Sequence, residues 1–292
     1  MVTRLYFIVA RQAPVAVVFR RGPSRQVELL RWDLVTNELL AGQWLKGRIY
    51  ERRADLSPSG DLLIYFAAKY ETKVRTWTAI SRPPYLTALA FWPKGDAWGG
   101  GGLFESERDV LLNHRPGAEM TLGEGSGFVK SLRVEPFGFG SGWGEDDPIL
   151  HARLVRDGWH RLDDGAREQE RAQGSKVWIT FTPPIRYRRS VGRRARPLTL
   201  EMSLEGIKER DGAWYILTWR LLDGETVIRD LGRADWADAA PTGDLLLARD
   251  GRLLRVDATA LNDPAAEVHE VADLGDHRFE ARAAPAEAVA EP

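Results

Sequence analysis

Turn chemistry recurs along this chain at a spacing that leaves room for short strands and little else. Pro-x-Gly-Asp occurs three times, at Pro58-Ser59-Gly60-Asp61, Pro93-Lys94-Gly95-Asp96 and Pro241-Thr242-Gly243-Asp244, and Asp-Gly follows at Asp157, Asp164, Asp211, Asp223 and Asp250. Pro pre-sets the φ of a second turn position, and Gly adopts positive φ at no steric cost. Between these signals lie β-prone runs: Leu5-Ala10, Val15-Arg20, Gln26-Leu34, Glu38-Leu45, Leu62-Ala68 and Lys73-Ile80 in the first third, then Lys176-Thr182, Leu198-Lys208, Ala213-Leu222, Glu225-Leu231, Trp236-Ala248 and Arg252-Val256. Short apolar runs cut by such turns predict antiparallel meanders. In the middle, Glu119-Leu122 reads as a strand, and Ile149-Arg156 with Trp159-Leu162 around Asp157-Gly158 reads as a further hairpin. The one helical candidate, Asp164-Gln173, is charged all round and reads as a surface excursion.

Composition agrees with an all-β chain. Eleven Trp and 28 Gly supply the flat aromatics and tight turns that stacked sheets consume. The 41 basic and 42 acidic side chains nearly cancel, so no global electrostatic partner is implied. The absence of Cys excludes disulfides, thiolate catalysis and Cys-ligated zinc, and suits a reducing, cytoplasmic setting. Arg4, Arg11 and Gln12 interrupt the apolar start, and no run reaches the ~18 residues of a membrane helix. Residues 281–292, rich in Ala, Glu and Pro, have almost nothing to bury and read as a disordered tail.

The stretch Ala54 to Ile80 resembles the WD-repeat family of β-propellers. Leu56-Ser57-Pro58-Ser59-Gly60-Asp61-Leu62-Leu63 is similar to that family's turn between its first two strands, and Lys73-Val74-Arg75-Thr76-Trp77 to its third strand with the closing Trp. Arg31-Trp32-Asp33-Leu34 is similar to the Trp-Asp of a preceding unit, and Trp32 and Trp77 lie 45 residues apart, about one blade. The Gly-His dipeptide of the family is absent, Trp77 is followed by Thr78, and the acidic turn position before each Trp is Glu71 or Gln26 rather than Asp. The resemblance implies a divergent propeller of about five to seven mostly four-stranded blades over residues 1–280, with degenerate blades around 123–200. A β-sandwich is the alternative that the strand pattern permits.

Few residues carry chemistry. Arg186-Tyr187-Arg188-Arg189 and Arg193-Arg194-Ala195-Arg196 place six arginines within eleven residues, where guanidinium forks and an interleaved Tyr could grip phosphates or stack on bases. Trp98, beside four glycines, is a candidate partner contact, with a buried indole between sheets as the alternative. The two Gly-x-Gly-Ser-Gly runs, 123–127 and 138–142, fit no nucleophile or phosphate-loop pattern and read as flexible loops. Glu145-Asp146-Asp147 lacks the spacing of a calcium loop, and the five histidines, from His114 to His277, are too scattered for a helical metal motif. No catalytic, cofactor or metal residue is assigned. The expectation is a non-catalytic scaffold for a protein partner. The alternatives are an enzyme drawing carboxylates and His into a propeller channel, or an anionic-polymer or nucleic-acid binder using Arg186–Arg196.

Overall fold

The computed structural model describes residues 3–22, 25–126, 131–163, 165–170, 174–193 and 195–289, with the Glu170 side chain outside the description. Among these residues twenty-two strands form five sheets, in the order of the chain. The first sheet is β1 (Arg4–Val9), β2 (Val15–Arg21), β3 (Gln26–Asp33) and β4 (Leu39–Lys46), in order 1-2-3-4. The second comprises β5 (Arg48–Ile49), β6 (Asp55–Leu56), β7 (Leu63–Ala68), β8 (Thr76–Ser81) and β9 (Ala90–Pro93), with both β5 and β6 paired to β7. The third is β10 (Gly102–Phe104), β11 (Asp109–Leu112) and β12 (Arg133–Pro136), of which the last pair is parallel.

The fourth sheet contains β13 (His160–Arg161), β14 (Arg167–Glu170), β15 (Val177–Arg193), β16 (Arg196–Glu209), β17 (Tyr215–Asp223) and β18 (Thr226–Arg233). The fifth is the meander β19 (Trp236–Ala239), β20 (Leu245–Arg249), β21 (Arg252–Val256) and β22 (His269–Asp273). The chain divides into two compact units, residues 6–153 with 277–292 and residues 1–5 with 154–276.

Inner strands are buried on both faces. All six residues of β7 are buried, as are the first six of β2, so these strands are near-continuous apolar runs rather than alternating ones. In the first unit Ile64, Ile80, Trp92, Phe104, Val110 and Leu112 form one core cluster. In the second, Trp219 meets Trp159 and Trp236 edge to face, with centroids at 6.1 and 5.5 Å. Each such pair adds about 0.5–1.5 kcal/mol beyond burial. Trp32 is buried near the end of β3, and Trp77 stands half-buried near the start of β8.

Local differences from the sequence reading have identifiable causes. Ile149–Arg156 is a helix, α1, and not a strand. Asp147 Oδ1 accepts from His151 N at 3.2 Å within its first turn. Gly158, at φ +88°, ends it with the paired bonds Trp159 N to Leu154 O (2.9 Å) and Gly158 N to Val155 O (3.1 Å). Asp157-Gly158 is therefore a helix terminator, a use of positive φ that a hairpin turn shares. The expected helix 164–173 is instead strand β14 at Arg167–Glu170, preceded by irregular chain at 165–166, with Asp164 and residues 171–173 outside the description. Ala118–Met120 is a single 3-10 turn where a strand is expected.

Only two Pro-x-Gly-Asp copies close the same turn. Gly60 N bonds Ser57 O and Gly243 N bonds Ala240 O, at 2.9 and 2.8 Å. In the other copy Lys94 N and Gly95 N bond Thr76 O and Thr76 Oγ1, extending the edge of β9. Of the tail, residues 281–289 are described. Arg282 donates to Ala41 O at 2.7 Å, its own carbonyl accepts from Gln43 Nε2 at 3.1 Å, and the turn α2 (Ala286–Val289) buries Ala288. No helix among the described residues is long and apolar enough to cross a membrane.

Candidate functional site

Two glycine-rich segments of the first unit interlock, and only glycine allows it. A Cβ on Gly100 would stand 2.3 Å from the Phe66 ring, and one on Gly101 1.9 Å from the Arg53 carbonyl oxygen. The opposing segment, 138–144, has positive φ at Gly138, Gly140, Gly142 and Gly144. Gly99 N donates to Gly144 O at 2.7 Å, and Gly100 N to Asn113 O at 2.7 Å. Asn113 N donates to Gly101 O at 2.9 Å, while the Asn113 side chain accepts from Gly142 N at 2.7 Å. Ser141, buried, donates to His114 O at 2.6 Å. The segment 138–142 is thus hydrogen-bonded and packed at Ser141 and Gly142, not the flexible loop that its glycine content suggests, while Gly138 and Gly140 face open space.

Two buried side chains brace this assembly from below. The Arg53 guanidinium, between the rings of Tyr50 (4.5 Å) and Phe66 (5.3 Å), donates from Nη1 to Ala97 O at 2.7 Å and Gly99 O at 2.6 Å. Its Nε lies 3.4 Å from the Asp146 carboxylate. Burial pushes His114 down to about 4, so its ring is neutral near pH 7. The Glu119 carbonyl, 2.9 Å from Nδ1, can only accept, which puts the proton on Nδ1. Nε2 then accepts from Thr78 Oγ1 at 2.8 Å, and Thr78 Oγ1 in turn accepts from Gly101 N at 2.8 Å. Both nitrogens of His114 serve structural bonds.

The braced segments raise three aromatic side chains into solvent. Trp98 is 55% exposed, Trp143 60%, and Phe139 fully so. Trp98 precedes Gly99 and Trp143 precedes Gly144, so the Gly99–Gly144 bond ties together the two backbone segments that carry the indoles. Asp96 Oδ1 accepts from Trp98 N at 2.9 Å and fixes the approach to the rim. The Arg115 guanidinium lies 4.6 Å from the Trp143 ring centroid. Large apolar groups held by bonded backbone lose little freedom on binding, which is the property of a contact surface. Sequence reasoning singles out Trp98 and passes over Trp143, Phe139 and Arg53. The alternation of Gly at 138, 140, 142 and 144 around Phe139 and Trp143 is the sequence signal that marks those two aromatics.

The arginine-rich run lies in the second unit, on β15 and at the start of β16. Arg188 pairs with Glu201 and Glu225, both at 2.7 Å, and Arg186 reaches Glu201 at 3.6 Å. Arg189 pairs with Asp238, and Arg196 with Asp223 at 3.4 Å. Tyr187 is buried, Arg193 is exposed at the hairpin end, and Arg194 lies outside the described residues. Four of the arginines thus face carboxylates of the same unit.

Of the other candidates, Asp146 is engaged by Arg53 and Asp147 by the α1 backbone. His277 Nδ1 lies 2.7 Å from the buried Glu28 carboxylate. Ser126 Oγ accepts from Phe91 N at 3.2 Å, while Gly127 lies outside the described residues. Among the described residues no group of three or more His, Asp or Glu side chains could hold a metal ion.

No family model matches the chain, and no curated protein matches it. Among solved structures it is similar to an uncharacterized protein, lmo1340 from Listeria monocytogenes EGD-e, at 9% identity and a TM-score of 0.31, over 94% of this chain and 85% of that one.

Proposed function

We propose that this chain is a non-catalytic protein-interaction scaffold of the cytoplasm, built on a divergent WD-repeat-like β-propeller and contacting its partner through the rim of Trp98, Trp143 and Phe139. The propeller reading is supported by five sheets laid down in chain order, most of them meanders, and by inner strands buried on both faces. It is also supported by bonds from the first residues to the last sheet and its flanks within one unit: Leu5 N to Asp235 Oδ2 at 3.2 Å and Thr3 Oγ1 to Gly275 O at 3.4 Å.

The interaction reading rests on one observation: the exposed indoles of Trp98 and Trp143 stand on backbone that is bonded and glycine-packed rather than loose. A solvent-facing indole on a rigid support is what a partner's pocket engages with most energy. Affinity purification of the wild type and a Trp98→Ala/Trp143→Ala variant from the native host tests this. A protein retained by the wild type and lost by the variant, with unfolding midpoints equal, is expected. Identical sets of retained proteins would end the reading.

A further inference from the structure

Resting on that reading, we propose that the rim takes an arginine-bearing segment of the partner protein, with the guanidinium over the Trp98 ring and paired to Glu145. The molecule already contains this arrangement once, in Arg115 over the Trp143 ring at 4.6 Å. Among the described residues no such cation lies over Trp98, whose indole is 55% exposed. Glu145 is exposed and makes no hydrogen bond or ion pair among the described residues, although it adjoins Gly144, whose carbonyl bonds Gly99 beside Trp98. An indole face and an unpaired carboxylate thus flank the same backbone hydrogen bond.

The charge around the rim favours a cation over an anion or a neutral group. Asp96, Glu119, Glu145, Asp146 and Asp147 stand against Arg53, Lys94 and Arg115, with Lys94 bridging Glu119 at 2.9 Å and Asp96 at 3.3 Å. Arginine suits the site better than lysine, because a planar guanidinium stacks on an indole and binds a carboxylate with two parallel bonds. A sugar ring could also lie on exposed indoles, but it would leave the carboxylate excess uncompensated.

Calorimetric titration of the full chain with the blocked peptide (Gly-Arg)4 tests the proposal, with (Gly-citrulline)4 and cellohexaose as comparison probes. Saturable binding of the arginine peptide is expected, at least about tenfold tighter than the uncharged citrulline peptide. Trp98→Ala should weaken it by about tenfold and Glu145→Gln by about threefold, consistent with a partly desolvated cation–π contact and an exposed ion pair. Trp178→Ala, which alters an exposed indole of the other unit, should leave it unchanged. No binding of the arginine peptide, equal affinity for the citrulline peptide, or indifference to Trp98→Ala would overturn the proposal. Binding of cellohexaose in place of the peptide would assign the rim to glycans. Loss of a retained protein in the purification experiment, together with failure of the arginine peptide, would leave the interaction reading standing and remove only the guanidinium.

Discussion

Arg53 holds Trp98 through the backbone on both sides of it: the carbonyls of Ala97 and Gly99, which flank the indole, accept from the same Nη1 at 2.7 and 2.6 Å. Replacing Arg53 by Met keeps the apolar stem between Tyr50 and Phe66 but takes this donor from the Ala97 and Gly99 carbonyls and removes the ion pair to Asp146. An unsatisfied buried polar group costs about 1–3 kcal/mol, so Arg53→Met should destabilise by about 3 kcal/mol in urea unfolding. Amide exchange over residues 97–101 should accelerate more than elsewhere. A loss below about 0.5 kcal/mol, on the scale of an ordinary surface substitution, would show that the loop stands without its brace.

Gly101→Ala should be far more damaging than Gly95→Ala, although both sites have positive φ. The added carbon at Gly101 meets the Arg53 backbone oxygen at 1.9 Å, whereas Gly95 faces open space. Gly95→Ala then carries only the left-handed conformational cost, about 1–2 kcal/mol. Gly101→Ala must also displace a strand-linking segment and should exceed that severalfold. Thermal unfolding of the two variants side by side checks the ordering.

The His114 ring gives the molecule an acid sensitivity of definite sign. In the unfolded chain the imidazole titrates near 6.5, and burial moves it to about 4 in the native state. Between these values the unfolded state binds more protons, so stability falls as pH drops from 6.5 towards 4 and this contribution levels off below 4. Its full size is about 3 kcal/mol. Carboxylates titrate in the same window, so the measurement is a difference: urea unfolding of wild type and His114→Gln at pH 7.5, 5.5 and 4. The gap between them should shrink as pH falls. A gap independent of pH would mean that His114 is not held neutral by burial.

Arg188 and Glu201 should be coupled more strongly than a surface pair. Glu201 is buried at 2% exposure and its carboxylate faces Arg188 at 2.7 Å, with Arg186 more distant at 3.6 Å. Arg188→Ala should cost about 3 kcal/mol, because it leaves a buried carboxylate with only the more distant Arg186, and the double variant with Glu201→Ala should cost less than the two single changes combined. With its charges paired in this way, the strand should not retain the protein on heparin above low salt. Strict additivity, or strong retention lost on Arg193→Ala, would reassign the run to an anionic ligand.

Much of the scaffold is legible in the sequence, because short apolar runs and turn chemistry report the same meanders. The strands of the first sheet and the hairpins from Leu198 to Val256 follow from residue type alone, whereas β15 runs on past Thr182 to Arg193 through Pro183-Pro184 and the arginine run, where the sequence suggests a charged excursion between two strands. The misreadings occur where one signal serves two structures. Asp157-Gly158 supplies positive φ equally well to a hairpin and to the end of α1. Pro93-Gly95 copies a turn motif while Thr76 recruits its amides into an edge. The site was legible only at Trp98. Arg53 is one of many arginines in the sequence, and its burial beneath the Gly99–Gly144 bond depends on contacts between segments more than forty residues apart.

The most direct measurement places a photoreactive benzoylphenylalanine at position 98, and separately at position 178, in the protein expressed in its native host. Both positions carry exposed indoles. A single cross-linked protein species from position 98, absent from position 178 and diminished when Glu145 is changed to Gln, is the predicted result. Identical cross-linking patterns from the two positions, or none from position 98, would contradict the assignment of the Trp98 rim as the binding surface.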